Sequence, residues 1–148
     1  MTTVAKTLKA VVSTVAEMIA AGKYDLVNES VTANMPITDL VVGEEFDVSL
    51  VSFGHATLNA EVLAELDKLA LRPIDLKVLE ALVATNPDIL SEAPIVALGT
   101  IWTDSTGCKV SPLVHKTQGK RNLSLDWNDE GNEWLDTSLF AAVSNVRK

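Results

Sequence analysis

From Pro94 onward the sequence is a run of short apolar stretches joined by links too short to hold a helix, and this limits the fold more than any other feature. The stretches fall at residues 95–102, 109–115, 122–127 and 139–144. Leu123, Leu125 and Trp127 alternate with polar neighbours, which is the two-residue period of a strand with one wet face. Asp104-Ser105-Thr106-Gly107 and Gln118-Gly119 carry the turn chemistry between the first three stretches. Parallel neighbours need a crossover of roughly a dozen residues, so links this short predict antiparallel pairing. A longer polar link, residues 128–137, leads into the last strand.

The first part of the chain reads differently. Val4, Leu8, Val11, Val12, Val15, Met18 and Ile19 recur at helical spacing between a Thr2/Thr3 cap region and Gly22, which predicts an amphipathic N-terminal helix. Residues 24–39 show no period and read as an irregular connection. Leu40 to Phe53 is rich in Val, Phe and Leu, with Gly43 as a turn or bulge, and Phe46, Val48 and Leu50 alternate with Asp47 and Ser49 in a strand with one wet face that Gly54 ends. Two helices follow. Thr57 or Asn59 caps the first, whose stripe is Leu58, Val62, Leu63, Leu66 and Leu69. Asp75 caps the second, with the stripe Leu76, Leu79, Leu82 and Val83 and a stop at Asn86-Pro87. The expected class is α+β in a single domain over residues 1–148. Its parts are an N-terminal helix (1–22), a strand with two helices (40–93) and a four-stranded, mostly antiparallel sheet (94–148).

Composition narrows the function. The 148 residues carry 12 Lys and Arg against 20 Asp and Glu, a formal net charge of −8. No basic footprint for nucleic acid follows from that balance. Residues 1–103 hold 6 basic and 14 acidic side chains, while residues 104–148 hold 6 of each, with a small basic cluster at Lys116, Lys120 and Arg121. The one cysteine, Cys108, excludes an internal disulfide and a multi-thiolate zinc site, and fits a reducing, cytoplasmic setting. No apolar run reaches the ~18–20 residues of a membrane span, and Lys6, Lys9 and Glu17 break the opening stretch as a signal peptide.

Several segments resemble a family of uncharacterised bacterial proteins over residues 24–148. They are Arg72-Pro73 ahead of a Leu-rich helix, Pro94-Ile95-Val96-Ala97-Leu98-Gly99 followed by Trp102, Arg121-Asn122-Leu123-Ser124-Leu125-Asp126-Trp127, Trp134, and Leu139-Phe140-Ala141-Ala142-Val143. That resemblance implies no activity. The order of a strand, two helices and a run of strands is also similar to the C-type-lectin-like fold. Leu71-Arg72-Pro73-Ile74-Asp75 stands where one branch of that fold carries a Gly-Arg-Leu-Pro-Thr-type turn, with Asp75 at the capping Thr and the Gly missing. The lectin disulfides are missing too.

The densest oxygen chemistry lies at residues 126–136. Asp126, Asn128, Asp129 and Glu130 supply the kind of ligands calcium takes, and Trp127-Asn128-Asp129 matches a tripeptide of calcium-dependent lectins. An EF-hand is excluded, because Thr137 stands where the loop needs its closing Glu and no incoming helix precedes it. Trp134 in this polar segment is a candidate contact residue, or else an anchor that pins the loop. His55 and His115 are the two histidines, and nothing in the sequence joins them into a metal site. Ser52, Ser111 and Ser124 lie on expected strands without a nucleophile elbow, and no Gly-rich phosphate loop is present. The expectation is a non-enzymatic module that binds a protein, peptide or glycan through residues 126–137 and the hairpin end at 115–121. Trp134, Arg121, Asn128 and Asn132 would make the contacts, without a cofactor unless calcium is bound. The alternative is an assembly protein of mobile-element or phage origin that forms homo-oligomers through the apolar helix face of residues 4–19.

Overall fold

A computed structural model describes residues 3–28, 31, 40–91, 93–103, 106–127, 133–134 and 136–144, with Trp127 described by its backbone alone. Its first element overturns the N-terminal helix. Thr3–Val11 is a strand, β1, and the helix α1 runs only from Val15 to Gly22. The apolar residues of this segment satisfy two periods at once. Ala10 and Val12 are buried and Leu8 packs beside them, so the two-residue period is the one realised. The segment is also dense in Thr and Val, whose branched side chains suit a pleated strand better than a helix. Antiparallel pairing with β3 (Glu45–Ser52), from Thr3 opposite Ser52 to Val11 opposite Glu45, completes the case for a strand. The helical face expected at residues 4–19 is therefore not formed. Helix α1 begins after Thr14, whose hydroxyl accepts from the Glu17 amide at 3.2 Å and donates to the Glu17 carboxylate at 2.8 Å.

The four C-terminal segments do not make a sheet of their own. They join β1 and β3 in a mixed sheet of order β1-β3-β11-β6-β8-β9-β2. Here β2 is Leu26–Val27, β6 Ile95–Val96, β8 Lys109–Thr117, β9 Lys120–Trp127 and β11 Leu139–Ser144. Two short strands attach to this path, β5 (Leu71–Pro73) on β11 and β7 (Trp102–Thr103) on β8. Strand β11 runs antiparallel to β3 and parallel to β6, and β2 runs parallel to β9. Link length governs strands that are neighbours in the chain, as in the β8–β9 hairpin. It does not say which strand is inserted between two others, and β11 is inserted. The expected strand over residues 95–102 is split at Gly99. The Gly99 amide donates to the Ile74 carbonyl at 2.8 Å, and a β-carbon there would sit 2.5 Å from that oxygen. Only glycine lets the backbone come this close, and in doing so the chain leaves the sheet.

Strand alternation sorts the core onto two faces. The first face carries Val48, Leu50, Ile95, Val110, Val114, Leu123, Ala141 and Val143, covered by α1 and by α3 (Leu76–Thr85). Helix α3 is capped as expected, Asp75 accepting from the Val78 amide at 3.0 Å. Its residues 76–83 are all buried, because the sheet lies on one side and α1 on another. Its C-terminal end reaches the outer edge of β1. Thr85 Oγ1 accepts from the Val11 amide at 2.9 Å, and the Asn86 side chain donates to the Lys9 carbonyl at 2.7 Å. The second face carries Val51, Phe53, Val96, Leu113 and Phe140 under Val62 and Leu66 of α2 (Asn59–Lys68). Among the described residues no helix is long and apolar enough to cross a membrane.

Candidate functional site

At the margin of the second face, β3 runs out through Phe53 into a turn at Gly54 (φ +74°), followed by His55, Ala56 and β4 (Thr57–Leu58). Strand β4 pairs with β10 (Glu133–Trp134), placing Trp134 opposite Thr57 and Glu133 opposite Leu58. This two-stranded clip ties the link between β9 and β11 to the start of α2. A depression of about 500 Å³ opens beside it, lined by Gly54, His55, Ala56, Glu133, Trp134 and Asp136.

Its floor is fixed. Trp134 is 3% exposed and meets Phe140 edge-on, with centroids 6.1 Å apart at 82°, and Phe140 in turn lies 5.4 Å from Phe53. The Trp134 indole N–H donates to the Asn59 side-chain oxygen. Asn59, expected as a helix cap, is thus engaged with the indole, and the α2 entry is held instead by Glu61 accepting from the Leu58 amide at 3.4 Å. The burial of Trp134 fits the second of its two expected roles, an anchor that pins the segment.

The rim is polar. Glu133, Asp136 and His55 are exposed there. His55 Nδ1 lies 2.9 Å from the Ala56 carbonyl, an oxygen that can only accept. In the neutral ring the proton therefore sits on Nδ1, and Nε2 is left as an acceptor. Two carboxylates and an acceptor nitrogen suit a ligand that brings hydrogen-bond donors or positive charge. Among the described residues no group of three or more His, Cys, Asp or Glu is set to hold a metal ion.

The other expected site residues are dispersed. Asp126 is exposed near the end of β9, while Asn128, Asp129, Glu130 and Asn132 lie outside the described residues, and the calcium reading with them. Arg121 stands at the opposite end of β9. At ~3.4 Å per residue the strand separates Lys120 from Trp127 by about 24 Å, so the hairpin end lies at the far end of β9 from the start of the 126–137 segment. Arg121 is turned toward α1. Its Nε donates to the Gly22 carbonyl at 2.9 Å and its amide to Asp25 Oδ2 at 2.7 Å. His115 lies on β8 with Nδ1 2.7 Å from Thr117 Oγ1, and burial holds its pKa below the usual histidine value.

Reading the sequence missed that His55, Glu133 and Asp136 line one depression. The signal available was the Gly54-His55 pair directly after a strand. Glu80 was missed as well. It sits four residues after Leu76 and three before Val83, within the apolar arc of α3, and is 1% exposed. The sequence matches no protein-family model, no curated protein matches it, and no solved structure matches its fold.

Proposed function

We propose that the chain is a non-catalytic binding module that takes a positively charged side chain of a protein or peptide partner into the depression between the β3–β4 turn and β10. The observation that carries this reading is the pair of exposed carboxylates, Glu133 and Asp136, set with His55 above an immobile aromatic floor. A floor pinned at Trp134 loses little conformational freedom when a ligand docks, which favours affinity. The net charge of −8 steers cationic partners toward the molecule. The buried Trp134 ring offers no open face for a sugar to stack on, which favours a peptide over a glycan. The single cysteine supports a cytoplasmic setting for such a partner.

The test is titration of a lysine-rich peptide, and of its norleucine counterpart, into the calcium-free protein by calorimetry. The lysine peptide should bind, and Glu133→Gln with Asp136→Asn should weaken it at least tenfold without moving the melting temperature. A control of equal charge, Asp67→Asn with Asp88→Asn, should retain the affinity. Equal loss in the control would reduce the effect to bulk charge and overturn the site. Binding only in millimolar calcium would replace this reading with a lectin-like one centred on residues 126–130.

A further inference from the structure

Strand β1 forms one border of the sheet, with β3 on its inner side and no strand on its outer side among the described residues. A border strand turns the N–H and C=O of every second residue outward. Val12, just past β1, bonds inward, its amide donating to the Glu44 carbonyl at 2.8 Å and its carbonyl accepting from the Gly43 amide at 2.7 Å. By alternation Val11, Lys9 and Thr7 bond outward. The fold caps this edge at one end only. Side chains at the end of α3 take the Val11 amide and the Lys9 carbonyl, while nothing among the described residues bonds the outward amide and carbonyl of Thr7. Thr3 to Thr7 are exposed and Leu8 is half-buried.

The charge of this stretch is opposite to that of the molecule. Residues 3–11 carry Lys6 and Lys9 and no acid, in a chain of net charge −8. Both lysines are exposed, and neither forms an ion pair among the described residues. The β3 residues beside the open stretch, Val48 to Ser52, are uncharged, and Asp47 and Glu45 stand opposite Lys9 and Val11 at the capped end. Repulsion from acids elsewhere is screened beyond about 8 Å at physiological ionic strength. Edge lysines also oppose pairing with a like strand. Two copies of β1 set antiparallel about Thr7 would bring their Lys6 side chains onto one face as diagonal neighbours, roughly 7–8 Å apart. A second copy is therefore disfavoured at this edge, and an acidic strand is favoured.

We propose that the open half of β1 is a docking edge for an extended acidic segment of a protein partner, which adds to the sheet as an antiparallel strand with carboxylates opposite Lys6 and Lys9. Lys6 shares the first face with Leu8 and Ala10, and Lys9 lies on the second, so the two carboxylates are three residues apart on opposite faces of the added strand. Between them, an apolar residue opposite Leu8 extends the first core face and a threonine stands opposite Thr7. Read from its N-terminus, the matching segment is Glu-Val-Thr-Glu.

The test is nuclear magnetic resonance of the nitrogen-15-labelled full chain, titrated with a capped octapeptide built around Glu-Val-Thr-Glu. The Thr7 and Lys9 amides should shift and gain protection from exchange, and a Lys-Val-Thr-Lys counterpart should leave them in place. Lys6→Gln with Lys9→Gln should weaken binding about tenfold. Methylating the peptide threonine amide, which faces the Thr7 carbonyl, should abolish binding, whereas methylating the valine amide, which faces away, should not. Thr7→Pro removes an outward amide that the β1–β3 ladder does not use, so it should keep the fold and lose the peptide. Glu133→Gln with Asp136→Asn should leave the affinity for the acidic peptide undiminished, which separates this edge from the depression beside β10. No binding at millimolar peptide, equal binding of the two methylated peptides, or loss in the Glu133 and Asp136 variant would overturn the proposal. Shifts centred on Lys116, Lys120 and Arg121 would overturn it too, as would a wild-type dimer in sedimentation that Thr7→Pro abolishes.

Discussion

The two faces of the sheet are packed by different means. The first is broad and aliphatic, built from Val, Leu and Ala under two helices. The second is narrower and depends on an aromatic corner, Phe53, Phe140 and Trp134, under one helix. Coverage decides what becomes of the carboxylates. On the closed face Glu80 is deprived of water and its proton becomes part of the packing. On the half-covered face Glu133 and Asp136 stay hydrated at a rim, available to something outside. The same side-chain chemistry is a structural liability in one place and a docking feature in the other.

The strongest way to break this comparison is Trp134→Ala. Truncating a buried aromatic costs about 3–5 kcal/mol, and here Asn59 also loses its donor. Urea denaturation should show a loss of that order, and a loss below about 1 kcal/mol would mean that the aromatic corner is dispensable. The next effect is on Glu80. The carboxyl titrates near 4.5 in the unfolded chain and about 7 in the folded one, so the folded state binds the extra proton between those values. Stability contributed by that proton is complete below 4.5 and is lost as pH rises through 7, a fall of up to about 3 kcal/mol. Glu80→Gln should therefore match the wild type near pH 4 and exceed it at pH 8, measured by denaturation at both values. The smallest effect sharpens the description of the first face. Asp75→Ala removes the α3 cap and should cost about 1 kcal/mol at neutral pH, without the pH-dependent gain of Glu80→Gln.

Much of the secondary structure was legible because it is fixed locally. The last strand falls on residues 139–144 as expected, and α3 begins at the Asp75 cap and stops at Asn86 as expected. The N-terminal strand was not legible, because its apolar residues fit both periods and its partner β3 lies some forty residues away. The site was legible only in half. Trp134 marked the right segment, but Gly54, His55 and Ala56 reach it through the β4–β10 pairing, which no local pattern announces. Glu80 is hidden for the opposite reason. A glutamate in a helix usually faces water, and here packing on both sides of α3 leaves it no outer face.

The position of β11 has a consequence for how the chain is made. Residues 139–144 sit between β3 and β6, with β5 also paired to them, so three strands synthesised earlier share a neighbour that is translated after all of them. Until that segment leaves the ribosome, β3 and β6 present unpaired edges and the two halves of the sheet remain separate. Assembly of the sheet is thereby deferred until residues 139–144 are available, and edges left unpaired before then are the kind of surface that promotes self-association.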